Sequence, residues 1–499
     1  MLRRIAPPLR HPPIPGAHPL GLASRIISSA AREPNQRWAV GTAKQPGYSA
    51  PSRNPGASRY LSKRSKIFWL EFSFMATIGM TAFARPNHPP IPVPSPTPTL
   101  SGFGLPLPGL RANQVASFAA GQAQFKVVDG PADGLGPIFN GQSCFQCHTQ
   151  PDNNGVGIPG GASAVTETRF GTSSGVFDLL HQASLYPSVQ DGVPIDAVVI
   201  AHRKTTPLFG LGLIENIPDA AIKANVHNPT VDGVKGRPAV LSDAVTTAIA
   251  AAGVGPANFV GRFGWKCQQA TLLAFSGDAY LNEMGITNRY FTTDLAPYAL
   301  GAEPPNTALM VAAEPLGYSL ATPYAPTTQL TPTTLQDLPN NPVLPEGPNN
   351  PDDIAEFTNF MELTSAPPTL PLTRQSLQGQ QLFVQINCVA CHVANMRTGS
   401  SNVSPALTFK NVPLYSDLLL HHMGTLGDGI VQAGAAADEI RTAPLWGLRA
   451  RSPFLHDGRA STVLEAILLH SGEATTIRDR FANLNEAQQQ AIIAFLNSI

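Results

Sequence analysis

The pattern Cys144-Phe145-Gln146-Cys147-His148 recurs as Cys388-Val389-Ala390-Cys391-His392, and the two copies use four of the five cysteines in 499 residues. Two thiols three positions apart can add to the vinyl groups of a haem, and the histidine that follows can reach the iron as its proximal ligand. Two covalently bound c-type haems are therefore expected, attached at Cys144, Cys147, Cys388 and Cys391, with His148 and His392 on the irons. A four-thiolate zinc site built from the same cysteines is the rival reading. Zinc ribbons are far more compact than this spacing, and zinc does not explain a histidine after both pairs. A disulfide framework would use the thiols that haem needs and leave Cys267 without a partner.

Each motif follows a similar segment. Phe118, Gly121 and Phe125 precede the first, and Leu377, Gly379 and Phe383 precede the second. In both, a phenylalanine stands four positions after a glycine, on the same face of a helix. The glycine permits close approach of another helix, and the aromatic packs beside the haem, as in the first helix of a class I cytochrome c. The expected fold is mainly α, with two cytochrome c-type (class I-like) haem domains and long irregular loops.

Composition points away from nucleic acid. Basic and acidic residues balance at 33 each, but residues 1–66 hold twelve basic side chains and a single acidic one, so the remainder is clearly acidic. Lys63-Arg64-Ser65-Lys66 precedes an apolar run, Ile67 to Ala84, that ends in the small-x-small sequence Ala82-Phe83-Ala84. This is the form of a secretory signal, and haem attachment to CxxCH belongs outside the cytoplasmic membrane, so the periplasm is the expected location. Glu71 interrupts the apolar run and argues against a stable membrane span.

The chain divides accordingly. Residues 1–60 read as a disordered or mis-assigned extension, 61–84 as the signal peptide and 85–109 as a Pro-rich, mobile spacer. An N-terminal haem domain is expected over 110–300, a Pro-rich linker over 301–351, and a C-terminal haem domain over 352–499. An amphipathic helix, carrying Ala487, Ala491, Ile492, Phe495 and Leu496, closes the last.

The sixth ligand of each iron decides between electron transfer and chemistry, because two strong ligands close the metal whereas an open position can bind peroxide. For the second haem the candidate is His470. Thr462 and Glu465 open a helix as a capping box, and Val463, Ile467 and His470 share its apolar face. Met396 and Met423 are its rivals.

Several segments, among them Phe139-Asn140-Gly141-Gln142-Ser143-Cys144, Gly261-Arg262-Phe263-Gly264-Trp265-Lys266, Glu283-Met284-Gly285-Ile286-Thr287 and Arg441-Thr442-Ala443-Pro444-Leu445-Trp446, resemble the bacterial di-haem oxidoreductases often labelled thiol-oxidoreductase-like. That resemblance spans roughly residues 105–499. A more distant one, through the haem motifs and Pro453-Phe454-Leu455-His456-Asp457-Gly458-Arg459, is to di-haem cytochrome c peroxidases, whose C-terminal haem accepts electrons and whose N-terminal haem reduces peroxide. The peroxidase resemblance implies several roles. His470 stands where those proteins place a methionine ligand, which implies bis-histidine ligation. His202 falls in the segment that carries their removable distal histidine, with His181 a weaker candidate, and an iron left five-coordinate is the alternative. Glu283 resembles the distal carboxylate and would be the general acid/base, its pKa raised by an apolar setting. Trp265 resembles the tryptophan between the haems, and Arg262, Arg203 and Arg459 could pair with propionates. The resemblance also allows calcium of the sort the peroxidases bind.

The expected activity is peroxidase-like, with electrons supplied by a small redox protein such as a cytochrome c or cupredoxin, and hydrogen peroxide as oxidant. The rival is a non-enzymatic di-haem electron carrier. A third reading, oxidation of thiols, needs a reactive cysteine, and only Cys267 is left over.

Overall fold

The structure, a computed structural model, describes residues 101–153, 156–162, 165–185, 190–241, 259–288, 291, 295 and 353–499. The expected extension, the signal peptide, all of the 85–109 spacer before residue 101 and the whole 301–351 linker lie outside the described residues.

Two helix-built cores hold the two motifs. The first is formed by α1 (Ala112–Gln124), α2 (Leu272–Met284) and α3 (Asp353–Leu363), which bury Phe118, Phe125, Leu272, Tyr280, Phe357 and Phe360 together. Gln114 caps the start of α1, its Oε1 accepting from the Arg111 N–H at 3.1 Å. Thr271 caps α2, and Gly285, at φ 72°, ends it. The second core pairs α4 (Arg374–Gln385) with α5 (Glu486–Leu496), burying Leu382, Phe383, Ile492 and Phe495. Both helices start with reciprocal caps, Thr373 with Ser376 and Asn485 with Gln488.

The two glycines of the repeated segment do the same work in both cores. A Cβ at Gly121 would overlap the carbonyl oxygen of Glu356 on α3, and one at Gly379 would overlap that of Ala491 on α5. Glycine is required at both positions because backbone meets backbone.

Three features differ from the sequence reading. Helix α3 falls inside the expected C-terminal domain, 352–499, yet packs on α1 and α2 in the N-terminal core, because its buried Phe357 and Phe360 complete that cluster. The end of the expected spacer is packed rather than mobile. Phe103 and Leu107 are buried, and the Leu107 N–H donates to the Leu363 carbonyl at 2.7 Å. The chain also carries more sheet than irregular loops imply: β1 (Val165–Thr172) lies between β2 (Phe177–Leu180) and β3 (Ala197–Lys204) in an antiparallel sheet that pairs Phe170 with Ile200 and Thr168 with His202. The β-branched run Val198-Val199-Ile200 favours extended pairing.

The described residues belong to one compact unit. The halves are joined by buried charge: Asp428 pairs with Arg203 at 2.7 Å and with Lys266 at 2.8 Å, all three being 1% exposed or less at the side chain. Backbone bonds add to the seam, from the Lys204 N–H to His456 at 2.6 Å and from the Arg441 N–H to Trp265 at 2.8 Å. Among the described residues no helix is long and apolar enough to cross a membrane.

Candidate functional site

Both CxxCH segments fold into one tight turn. Cys144–Cys147 is a helical turn capped by Ser143, whose hydroxyl accepts from the Gln146 N–H at 3.2 Å, and Cys388–Ala390 is a 3-10 turn. In each the histidine N–H returns to the carbonyl of the first cysteine at 3.0 Å. The imidazoles are then fixed alike. His148 Nδ1 bonds the Gly161 carbonyl at 3.1 Å and His392 Nδ1 that of Tyr415 at 3.0 Å, which leaves Nε2 of His392 as that ring's lone-pair nitrogen. Phe125 lies 5.9 Å from the His148 ring and Phe383 lies 6.2 Å from His392, so the repeated aromatic stands beside the repeated ligand.

Burial pushes the Cys144 and Cys388 thiols up to about 12 and both histidines down to about 4. Neutral thiols of this kind are poor free nucleophiles, and neutral imidazoles are what iron requires. The cysteine pairs sit in different cores and form no four-thiolate cluster.

The second site has a facing ligand. His470, just past the helix Val463–Leu468, lies with its ring 6.5 Å from that of His392, centroid to centroid. Two imidazoles binding one iron from opposite sides at ~2 Å would have centroids about 6.3 Å apart. Its Nδ1 bonds the Ala466 carbonyl at 2.8 Å, and burial lowers its pKa, so its Nε2 is also held neutral. The helix starts as expected at Thr462, which caps Glu465, although the Glu465 carboxylate reaches Ser461 instead. Between the rings lies a cavity of about 220 Å³, lined also by Cys388, Cys391, Phe383, Phe481, Ile492 and Leu496. A flat apolar ring with an iron at its centre and thioether links to those cysteines fits this donor set. Met423 lines the same cavity, while Met396 is buried in the first core.

The first site differs. Both nitrogens of His181 are engaged, with Asp191 at 3.0 Å and the Asn282 carbonyl at 3.1 Å. His202 is exposed on β3, bonded to Thr168 at 3.1 Å. Among the described residues no histidine faces His148 as His470 faces His392. Glu283 instead lies beside the strand that leads into the first motif: its Oε2 accepts from Asn140 Nδ2 at 2.9 Å, and its backbone carbonyl accepts from the Asn140 and Gly141 N–H groups. Burial, then the Glu167 charge, raise its carboxyl to about 7. Burial likewise raises Asp278 to about 6, with Arg169, ion-paired to Glu167, opposing the shift.

Trp265 lines the second cavity, its ring edge-on to His456 at 6.2 Å, and its Nε1 donates to the Lys204 carbonyl at 2.7 Å. Two residues on, the Thr206 backbone hydrogen-bonds His148, so one short segment touches both sites. The arginines expected at propionates are otherwise engaged: Arg262 with Asp219 and four carbonyls, Arg203 with Asp428, and Arg459 with Asp457. Cys267 is fully buried, its thiol pushed up to about 12, which leaves no ready thiolate for thiol chemistry. Cys391, Asp417 and His421 converge, but sulfur and imidazole do not suit calcium, and the Asp417 carboxylate is taken by His421 Nε2 at 2.8 Å. Sequence reasoning missed His421. Its signal, a histidine four positions after an aspartate, gives no hint that Glu473 closes the other side at 2.8 Å.

No curated protein matches the chain significantly. Three solved structures are similar: hydrazine synthase of Kuenenia stuttgartiensis (16% identity, 30% of this chain and 55% of that one, TM-score 0.20), a MauG-like protein associated with microbial copper homeostasis (15%, 79% and 93%, 0.34), and the di-haem peroxidase BthA of Burkholderia thailandensis (14%, 48% and 66%, 0.26). The chain thus spans just over half the length of the hydrazine synthase chain. Likenesses this distant carry no argument about activity. The family described as "Di-haem oxidoreductase, putative peroxidase" matches residues 174–299 and 345–499, more than half of the sequence. With two matched haem-type turns in its two cores, the chain belongs to this di-haem oxidoreductase family, and two haems are the cofactors that membership implies.

Proposed function

We propose that this oxidoreductase is a periplasmic di-haem c peroxidase, in which the C-terminal haem relays electrons to a catalytic N-terminal haem. The observation that carries the reading is the inequality of the two sites. His392 and His470 face each other across one cavity, which suits a six-coordinate iron that exchanges electrons only, whereas His148 has no such partner among the described residues and Glu283 stands near its motif. The haems, attached at the four motif cysteines, would supply the electron transfer and the open metal position.

The rest falls to the chain. Glu283, with a carboxyl raised to about 7, takes the proton from the near oxygen of hydrogen peroxide and returns it to the far oxygen as the bond breaks. Two electrons and two protons convert the peroxide to two waters. Asn140 orients the carboxylate. Trp265 and the backbone from Lys204 to Thr206 give the electron a short covalent and hydrogen-bonded route between the sites. The donor would be a small redox protein, a cytochrome c or cupredoxin, and the signal-like segment 61–84 would direct export. His202, exposed on β3, could ligate iron only if the sheet moved.

Optical and electron paramagnetic resonance spectra of the oxidised and half-reduced protein, with and without peroxide and cyanide, test this. One haem that becomes high-spin and binds these ligands is the expected result. Two haems that stay low-spin and unreactive at every redox level would leave an electron-transfer cytochrome.

A further inference from the structure

The cavity between His392 and His470 is apolar over most of its wall, but its charged lining is of one sign. Lys204, Arg441, Arg451 and Arg478 line it, and no Asp or Glu does among the described residues. Arg478 is paired with Asp479 at 2.7 Å, and Arg441 donates to the Gly264 carbonyl at 2.7 Å. Arg441, Lys204 and Arg451 have no ion-paired carboxylate among the described residues, and the last two lie together by the loop that holds His456. Lys204 is 4% exposed and its ammonium donates to the Pro453 carbonyl at 2.6 Å. Arg451 donates one nitrogen to the carbonyls of Pro444 and Trp446, at 3.0 and 3.1 Å, and its Nε is buried without a hydrogen-bond partner. His456 is 2% exposed, and its Nε2 is likewise buried and unpartnered, with the Asp457 carboxylate 3.8 Å away. Buried cations and orphaned donors facing one cavity are costly unless an anion completes them.

We propose that Lys204, Arg451 and His456 form a carboxylate clamp that takes the propionate groups of the haem held between His392 and His470. This rests on the reading of the cavity as a haem site. A haem is an apolar disc whose only anionic side chains are two propionates, so a cavity that accepts the disc must answer two carboxylates with donors or cations. Lys204 and Arg451 balance their charge, and His456 adds an N–H. The clamp is drawn from both halves of the molecule. Lys204 ends β3, while Arg451 and His456 lie in the loop before the helix that carries His470, and the Lys204 N–H and Nζ both bond that loop, at His456 and Pro453. None of these three was selected as a propionate partner by sequence, because nothing local marks them as facing one void.

Cations beside the propionates favour the reduced, less positive haem, so removing one should lower its midpoint potential. The test uses the full-length holoprotein and the variants Lys204→Met, Arg451→Gln and His456→Phe, with Lys204→Arg and His456→Gln as conservative partners. Haem is first counted by pyridine haemochrome. Fewer than two haems in the parent protein would overturn the haem reading itself. With two present, the expected result is a shift of the propionate-bending bands in the resonance Raman spectrum and a lower midpoint potential for the low-spin haem alone, both largely restored in the conservative variants. Variants with two haems, unshifted bands and both potentials at parental values would overturn the clamp, as would a shift confined to the other haem. If the first three variants lose haem, rescue of loading by Lys204→Arg and His456→Gln supports the clamp, and failure to rescue counts against it.

Discussion

Glu283 shows how much one environment changes one residue. In water a glutamate is ionised at neutral pH; here burial and the neighbouring Glu167 raise it to about 7. As the proposed proton acceptor it would have to be ionised, so peroxidase activity should rise with pH through about 7. Glu283→Gln should abolish that limb and lower kcat by about 10²–10⁴, as measured in steady-state pH profiles. The stability contribution has the opposite sign. A carboxyl whose folded pKa is raised stabilises the fold at low pH, and that contribution is lost as pH rises from its unfolded value of 4.5 through about 7. At this scale the two matching CxxCH turns were legible, because the pattern is local, and so was the inward face that presents His470. His202 was not: in a strand, alternate residues face opposite ways, and the pairing of Thr168 with His202 puts its ring on the exposed side. Lys204 and Arg451 were illegible because their significance depends on which cavity tertiary packing turns them towards.

The repeated glycine belongs to the scale of elements. Gly379 lets α4 lie backbone to backbone on α5, and Gly121 does the same for α1 on α3. Gly379→Ala should push α4 off α5 at a cost of about 1–3 kcal/mol or more, read as a lower midpoint in thermal unfolding with the absorbance of the second haem changing before that of the first. Gly121→Ala should invert that order. The helices themselves were readable from caps and apolar spacing, as at Asn485 and Thr462. The sheet was not, because β1 and β3 derive their stability from pairing with each other across intervening chain, a relation that composition does not record. Nor did sequence order show that α3 packs backward into the first core, since a Pro-rich stretch before it reads as a boundary whichever core the next helix joins.

At the scale of the molecule, one buried aspartate on the seam between the halves answers two cations. Asp428 lies between Arg203 and Lys266, and all three are removed from water. Asp428→Asn would leave Lys266 without an ion-paired carboxylate and Arg203 with Glu167 alone, at 3.7 Å. The expected loss is about 3–5 kcal/mol, and calorimetry should show the single unfolding transition broaden or split as the halves uncouple. The balance of net charge gave no sign of this, because a sum over the sequence cannot distinguish a surface lysine from one sealed in a seam.

Helix α3 also bears on the order in which the chain can become a protein. The first CxxCH lies at residues 144–148, yet the helix that completes its core lies at 353–363, beyond all of α2 and the long segment between. As the polypeptide emerges from its N-terminus, the first cysteine pair is presented early and its pocket cannot shut until some two hundred residues later. Until then the thiols of Cys144 and Cys147 stay open, whereas Cys388 and Cys391 follow directly on α4 and wait only for α5 to close over them. The same topology makes the N-terminal half dependent on sequence it does not contain, so gene fragments drawn at the Pro-rich boundary would inherit a core missing one of its walls.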